Sequence, residues 1–546
     1  MAPASYHDDS KEAGAEALPA ASDPPSEAPV LDSRPDYSIF TTWEKTSIVL
    51  GAAAGAFLSP LTGQIYLPAL NLLAQDLKIT DAQANLTVTT YMIFQGITPM
   101  FIGSFADGAG RRPAYLLCFV VYIAANIGCA LSPNYVALLI LRMLQSAGSS
   151  TTVALCQAVV SDIITSAERG QYVGYVTVPV LLAPAVGPVL GGAIAHYLGW
   201  RWIFWFLTIL AGAITILYAM FMPETCRRIV DDGSVRPHPI YRTLWQLWKD
   251  ALQKRKARRS EDASALQRTA SRASVRQSLR LKRPNPLRSL TILFEVEMSI
   301  LLFYSAIPFA SFYAIATAMP SQLGENYGLD DLKVGLMYLP LGGGSMFAAI
   351  AMGRVINWNY RRHCKKLGVP FERSKQQDLS EFPIEKARLE VGIPLLSLST
   401  VVLFAWGWAL QYHAHLAVLC VLLFIMGVGI IGYSNTTGAL IVDVNPSNAG
   451  AATASNNLTR CLIGAAATAV INPMIKGIGA GWAFFILGAL QLVGAPVLLL
   501  VMRNGIQWRK AKEARRRQKK ERKASRVANA ETSQGQQADY PPDGKE

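Results

Sequence analysis

The sequence contains few charged residues, few histidines and few cysteines. Asp, Glu, Lys and Arg make up 16% of the 546 residues, against 51% hydrophobic residues. The charges avoid the apolar stretches, many of which reach the bilayer-spanning length of about 20 residues, so an ordinary soluble domain is excluded. The seven Cys show no paired spacing for a disulfide framework or a metal site. No nucleotide cradle or nucleophile elbow is present, so we expect neither an enzyme nor a cofactor.

The apolar stretches define twelve predicted membrane spans, six in each half of the chain. They are 46–67, 85–105, 114–131, 135–161, 171–195, 201–222, 293–317, 334–356, 390–410, 416–440, 449–472 and 481–502. The predicted fold is an all-α integral membrane protein built from two pseudo-symmetric six-helix halves. The predicted regions are a disordered N-terminal tail (1–45), the first half (46–222), a basic linker (223–289), the second half (290–502) and a basic C-terminal tail (503–546).

The positions of Lys and Arg predict the orientation, since these residues resist translocation. The linker holds 17 Lys and Arg against 6 acids, and the C-terminal tail holds 13 against 6. Both termini are therefore expected in the cytoplasm, in a multi-pass protein of the plasma membrane. The net charge of +14 then indicates attraction to the anionic lipids of the inner leaflet. No nucleic-acid partner is expected, and the protein is expected to be a monomer.

A short motif follows the second span and recurs 250 positions later. Its members are Gly103, Asp107, Gly110, Arg111 and Arg112. The second copy has Gly353, Arg361 and Arg362 at the matching positions, with Asn357 in place of the aspartate. A carboxylate at a helix C-terminus is disfavoured by the helix dipole, so Asp107 needs cations nearby, which the two arginines can supply. The repetition predicts a duplicated chain with a site between its halves.

Arg142 lies inside the fourth span, where a cation costs roughly 2.5–3.5 kcal/mol near a helix centre. Polar residues continue at helical spacing, forming one stripe: Gln145, Ser149, Thr152 and Cys156. The stripe suggests a cavity wall, although a structural Arg bonded to backbone carbonyls is the alternative. Arg460 in the eleventh span, with Asn456 one turn before it, is the possible counterpart.

The fifth span contains a dense string of proline and glycine. Gly187, Pro188, Gly191 and Gly192 belong to it. Gly187 and Gly191 form a small-residue face that another helix can approach closely, and the run Gly342–Gly344 in the eighth span is the expected partner. A packing device, a hinge and a proton-tight seal all remain open.

Together these motifs resemble those of the major facilitator superfamily, within it the drug:proton antiporter branch with twelve spans. The loop after the second span, Arg142-x-x-Gln145-x-x-Gly148 and Gly187-Pro188-x-x-Gly191-Gly192 carry the resemblance. The segments 223–225, 382–389 and 456–460 look like the fungal quinidine-resistance and citrate-exporter subgroup.

The resemblance implies alternating access around a central cavity, with the motif after the second span as a latch and with protons driving export. Proton coupling would involve Asp107 and Arg142, although the first span has no acid. The cavity residues it implies are Gln64, Arg142, Gln145, Tyr304, Tyr313, Asn435, Asn456 and Arg460.

Three functions remain open at this point. The first is proton-driven export of drugs or secondary metabolites, the second is export of small organic anions such as di- or tricarboxylates, and the third is a non-transporting membrane sensor. Two arginines facing one cavity would favour the organic anion, whereas aromatic and amide groups suit any amphipathic molecule.

Overall fold

The chain is helical throughout its described part. This computed structural model describes residues 38–538, without 165–168, 232–237, 239–240, 249–292, 369–381 and 446–448. The helices are α1 Thr42–Ile65, α2 Leu70–Asp76, α3 Asp81–Ala109, α4 Arg111–Ala130, α5 Tyr135–Ser149, α6 Thr151–Ile163, α7 Arg169–Leu198, α8 Arg201–Phe221, α9 Arg227–Val230, α10 Val296–Tyr327, α11 Asp331–Leu336, α12 Tyr338–Leu367, α13 Ile384–Gln411, α14 Leu416–Val444 and α15 Ala449–Ala538. The predicted all-α membrane class is confirmed. Most of the predicted N-terminal tail and central linker lies outside the described residues.

Each predicted span follows one helix or two consecutive helices, with ends that agree within a few residues; the span 334–356 is divided at Met337 between α11 and α12. Ten helical stretches of the described chain are long and apolar enough to cross a membrane. Of the other two predicted spans, 85–105 lies in α3, which carries several polar residues. The span 135–161 is divided at Ser150 into α5 and α6, of 15 and 13 residues. The positions of the helices agree with six spans per half, although three spans are less apolar or less continuous than the sequence suggested.

Local side chains determine several helix ends. Thr41 and Glu44 form a capping box at α1, in which the Thr41 hydroxyl accepts from the Glu44 amide at 3.3 Å and the Glu44 carboxylate accepts from the Thr41 amide at 2.9 Å. Asp330 accepts from the Lys333 amide at 2.9 Å at the start of α11. Such caps contribute about 1 kcal/mol each. Gly479, with φ +84°, separates the eleventh span from the twelfth inside α15.

Successive spans alternate in direction, so their turns fall on two faces of the molecule. We call the face with the turns at Gly199, Gly328 and Gly479 the distal face. The opposite face carries the turn at Gly110 and the extension of α15 beyond the last span, and we call it the terminus face.

Polar contacts join the two halves at and below the distal face. The Asn71 side-chain amide donates to the Pro320 carbonyl at 2.6 Å, and Lys476 Nζ lies 2.5 Å from Asp81 Oδ2. Deeper along α3, the Thr89 hydroxyl meets the Thr468 hydroxyl of α15 at 2.9 Å. Within a bilayer such bonds and small-residue contacts hold helices together, because lipid is as apolar as the side chains. The structure therefore shows a conformation whose distal face is closed.

Candidate functional site

The predicted latch is an ionic cluster on the terminus face. Arg111, the first residue of α4, places Nη1 2.5 Å from Asp107 Oδ1 and Nε 2.9 Å from Asp162 Oδ2. The guanidinium thus bridges the ends of α3 and α6. Arg228 Nη1 donates to the Asp107 carbonyl at 3.2 Å. Of the two arginines expected beside Asp107, Arg111 lies there, whereas Arg112 donates to the carbonyls of Arg242 at 2.5 Å and Ala219 at 2.8 Å.

Glu224, after α8, caps the start of α4. Its carboxylate accepts from the backbone amides of Arg111 at 2.8 Å and Arg112 at 3.2 Å. The amides of Thr225 and Cys226 donate to the same carboxylate at 3.0 Å each. Burial raises the pKa of the Glu224 carboxyl, and these four donors partly offset that rise. The acid is therefore the point at which the third and sixth spans of the first half are tied together.

The motif has no space for a side chain at Gly110 but has space for one at Gly103. Gly110 has φ +106°, and an added Cβ would lie 2.5 Å from Glu224 Oε2, whereas a Cβ on Gly103 meets nothing within 4 Å. We expect Gly110→Ala to reduce the amount of folded protein at the membrane at least severalfold, because it strains the turn and displaces the Glu224 cap. Gly103→Ala is the matched control and should leave it unchanged. Quantification of the folded protein in the membrane tests this prediction, and equal amounts for the two variants would contradict it.

In the part of the chain that the structure describes, Arg362 of the second copy forms no ion pair like that of Arg111 with Asp107. Asn357, Arg361 and Arg362 are exposed on α12, and Gly353 has open space around it. Whether this asymmetry matters for cycling, with Asp107→Asn more harmful than Asn357→Asp, remains a prediction.

Arg142 is fully buried near the middle of the first half. Its guanidinium carbon lies 4.2 Å from the centre of the Tyr66 ring and 4.5 Å from that of Tyr91. Nη1 donates to Gln145 Oε1 at 2.6 Å, while Nε and Nη2 have no hydrogen-bond acceptor. No carboxylate of the described residues is within salt-bridge distance of Arg142. The cation is therefore held between two aromatic faces with two donors unused.

A buried chain of hydrogen bonds connects Arg142 to α1. Gln145 Nε2 donates to Asn126 Oδ1 at 2.7 Å, and Asn126 Nδ2 donates to the Tyr122 carbonyl at 2.7 Å. The Tyr122 hydroxyl lies 2.5 Å from that of Thr62. These bonds fix the orientation of Gln145, which in turn orients one edge of the Arg142 guanidinium.

The second arginine comes from the other half and joins the same row of rings. Arg460 places its guanidinium carbon 4.1 Å above the Phe309 ring, and its buried Nε has no acceptor. The Phe309 ring is 4.9 Å from the Tyr313 ring. The Tyr313 hydroxyl and the Tyr91 ring flank Gly63, at 3.7 and 3.6 Å from the point where a Cβ would stand. Arg142 and Arg460 thus lie at the two ends of one aromatic row that crosses between the halves.

Two further predicted cavity residues lie on helices next to this row, Gln64 on α1 directly after Gly63 and Asn456 on α15 one turn before Arg460. Gln64 is buried, and its Cβ lies 3.2 Å from the position of a Cβ on Gly187. Asn456 Oδ1 accepts from the Ser305 hydroxyl at 2.6 Å, which links α15 to α10.

With this geometry established, the chain can be compared with known proteins. The sequence profile of the Major Facilitator Superfamily matches residues 52–469. The chain belongs to this superfamily. It is therefore a multi-pass membrane transporter of small molecules and not an enzyme.

Fungal transporters of the superfamily are similar along most of the chain. MFS-type transporter phiD of a fungal species (strain ATCC 74256) is 43% identical over 495 residues, which cover 91% of this chain and 73% of the relative. MFS-type transporter tstD of Talaromyces stipitatus is 38% identical, with 89% and 86% covered. Citrate exporter 1 of Aspergillus niger is 33% identical, with 88% and 90% covered.

Two solved structures show the same fold at low sequence identity. A D-xylose-proton symporter aligns with a TM-score of 0.58 at 15% identity, covering 84% of this chain and 96% of that chain. The human organic anion transporter MFSD10 aligns with a TM-score of 0.53 at 16% identity, covering 85% and 100%. These likenesses establish the architecture of this facilitator and leave its substrate open.

The glycines of the fifth span pack against both halves of the molecule. The predicted partner, the run Gly342–Gly344, is only partly correct. A Cβ on Gly191 would overlap the Ile65 carbonyl of α1, so Gly187 and Gly191 pack within the first half. Gly192 instead faces the second half, where its Cβ would lie 2.5 Å from the Asp331 carbonyl. Of the run Gly342–Gly344, Gly342 contacts Ala185 of α7, but Gly344 packs on Phe424 of α14.

Two predicted cavity residues lie apart from the aromatic row. The Tyr304 ring packs against Gly494 in the twelfth span. Asn435 is exposed on α14. Tyr433, two residues earlier and thus on nearly the opposite side of the helix, donates to the Tyr304 carbonyl at 3.1 Å, so Asn435 points away from α10. The structure brings neither side chain to Arg142 or Arg460.

Sequence reasoning missed the rings that enclose the arginines, Tyr66, Tyr91 and Phe309, and it missed Asn126, which orients Gln145. Asn126 was detectable, since it is an amide in the otherwise apolar run 114–131. The three rings carry no such signal, because tyrosine and phenylalanine are common in membrane spans.

Proposed function

We propose that this facilitator exports small organic anions with an aromatic or otherwise apolar body, by alternating access and in exchange for protons. The observation that carries the proposal is Arg142, a buried cation with two unused donors between two tyrosine rings. Drugs and secondary metabolites that carry a carboxylate belong to this class, as do di- and tricarboxylates with an apolar body.

Energetics favour an anion as the missing partner. A desolvated cation–π contact contributes up to about 2 kcal/mol, so two rings roughly offset the insertion cost of 2.5–3.5 kcal/mol. The rings supply neither a negative charge nor acceptors for Nε and Nη2. A carboxylate supplies both, and hydrogen bonds to charged groups contribute about 1.5–3 kcal/mol. A neutral amide would supply only the weaker acceptor.

The position of Arg460 couples such a ligand to the movement of the halves. Arg142 belongs to α5 in the first half, and Arg460 belongs to α15 in the second, with the rings of Tyr91, Tyr313 and Phe309 between them. A ligand whose acid groups meet both cations would bind best when the halves are close together. It would thus bias the conformational equilibrium, as any ligand with different affinities for two states does.

The closed distal face fits the first half of an export cycle. With Asn71 bound to Pro320 and Lys476 to Asp81, the halves are joined on the distal side, as we propose for the state that loads a substrate from the terminus face. The predicted orientation places that face in the cytoplasm. Citrate exporter 1 of Aspergillus niger, at 33% identity, supports outward transport of an organic anion by a relative of this subgroup.

Proton exchange would use ionisable groups of the first half. Arg142 has no carboxylate partner among the described residues. Asp107 and Asp162 both pair with Arg111 on the terminus face. The coupling groups proposed are Asp107 on the terminus face and Arg142 in the core, and the experiment below separates coupling from substrate class.

Uptake into inside-out membrane vesicles tests the proposal, because uptake there corresponds to export. We choose three probes of one shape: terephthalate with two carboxylates, 4-carbamoylbenzoate with one and terephthalamide with none. Accumulation should follow that order and fall when an ionophore dissipates the proton gradient. Equal accumulation of terephthalate and terephthalamide would overturn the anion class, whereas insensitivity to the ionophore would overturn proton exchange alone.

A further inference from the structure

The segment 382–389, which begins α13, holds the extension of α15. Glu385 is 3% exposed and faces Arg509, which lies beyond the twelfth span. Arg509 Nη2 donates to Glu385 Oε2 at 2.9 Å and to the Phe382 carbonyl at 2.7 Å, and its Nε lies 2.6 Å from Glu385 Oε1. Gly505 packs against the same carboxyl, at 2.6 Å from its Cδ to the position of a Cβ.

The Glu385–Arg509 pair occupies the same place in the second half as the Glu224 cap occupies in the first half. In both halves a buried carboxylate ties the start of the third span to the segment after the sixth. In the first half the acid, Glu224, follows the sixth span and accepts from the amides of Arg111 and Arg112. In the second half the acid, Glu385, begins the third span and the cation, Arg509, follows the sixth. Both halves therefore join the third span to the segment after the sixth, but the acid lies after the sixth span in the first half and at the start of the third span in the second half.

Two other links have counterparts at equivalent positions. Arg111 reaches Asp162 at the end of α6, and Arg388 reaches Asp443 at the end of α14, with Nη2 at 2.9 Å and Nε at 3.0 Å from Oδ2. In the first half, Asp107 joins the end of the second span to Arg111 at the start of the third. In the second half, His363 of α12 lies 2.8 Å from Glu390 of α13.

We infer that Glu385, Arg388 and Arg509 form a second latch, with Glu385 and Arg509 as positioning residues that make the helix after the last span part of the transport core. The exposed residues Asn357, Arg361 and Arg362 are the sequence repeat of the first latch, but its structural counterpart lies at the start of α13. The basic tail that follows Arg509 is therefore anchored to the second half by a buried ion pair.

A double-mutant cycle on the full-length protein tests this inference. Glu385→Gln or Arg509→Gln alone leaves one buried charge without its partner, whereas the double variant leaves none. Arg503→Gln removes an exposed cation six residues before Arg509 and is the matched control. The readouts are the melting temperature of purified protein, which needs no substrate, and the maximal rate and half-saturating concentration for terephthalate in vesicles.

Each single variant should melt several degrees lower and lose at least tenfold in maximal rate per folded molecule, with an unchanged half-saturating concentration. The double variant should regain most of both losses, and Arg503→Gln should match the wild type. Losses that simply add in the double variant, or single variants with wild-type rates, would overturn the latch. If the wild type transports none of the three probes, the proposed function fails while the melting temperatures still decide the latch.

Discussion

Replacement of Arg142 by Gln is expected to lower terephthalate transport about ten- to a hundredfold at an unchanged surface level, since a charge-assisted bond of about 1.5–3 kcal/mol is lost. Arg142→Lys should give an intermediate rate. Lysine keeps the charge but cannot stack its head group flat between Tyr66 and Tyr91 or reach an acid with a planar fork.

Transport of terephthalamide provides the internal comparison for this prediction. The diamide gains little from the cation, so the ratio of terephthalate to terephthalamide transport should fall towards one in Arg142→Gln. Arg354→Gln removes an exposed cation from α12 and should change neither rate nor ratio. A tenfold fall that affects all three probes equally would show that Arg142 supports the helix bundle without contacting the substrate.

Gly192→Ala is expected to disfavour the conformation with the closed distal face. An added Cβ would lie 2.5 Å from the Asp331 carbonyl and 3.1 Å from Gly335 Cα, both in the second half. Because backbone atoms cannot rotate away, the halves must separate there, and overpacking of this kind costs about 1–3 kcal/mol. The population of the closed distal state should fall about five- to a hundredfold.

Crosslinking across the distal face measures that population without any substrate. Asp81→Cys and Lys476→Cys replace an ion pair that joins the halves at 2.5 Å, and the seven native cysteines are buried or partly buried. A short bismaleimide should join the two halves rapidly in the wild-type background and at least several times more slowly with Gly192→Ala. Gly212→Ala, where a Cβ meets nothing within 4 Å, is the control. Equal rates in the three backgrounds would show that the Gly192 contact does not hold the distal face closed.

Much of the architecture followed from the sequence because the physics involved is local. Apolar runs gave the spans, and the spacing of Arg142 and Gln145 placed them on one helical face, where they do bond. The motif after the second span predicted the Asp107–Arg111 pair because a carboxylate at a helix C-terminus needs a cation nearby, and the turn at Gly110 places Arg111 beside it.

The rest depended on which helices meet, and that is not encoded in local spacing. Gly187 and Gly191 predicted a close helix contact, but the helix they contact is α1, and only Gly192 contacts the second half. The second copy of the motif was found by sequence similarity at Gly353. The second latch instead uses Arg388, which matches Arg111 in position, and Arg509, which matches Glu224 in position. Tyr304 and Asn435 lie on helices of the expected set but on faces that the spacing did not specify.

Titration calorimetry of the purified protein with terephthalate, 4-carbamoylbenzoate and terephthalamide tests the central claim most directly, namely that Arg142 is the anchor for an acidic substrate. The account predicts that affinity rises with each carboxylate in the wild type, by about tenfold or more per group, and that Arg142→Gln removes most of this dependence. Three equal affinities in the wild type, or a dependence on charge that survives in Arg142→Gln, would contradict it.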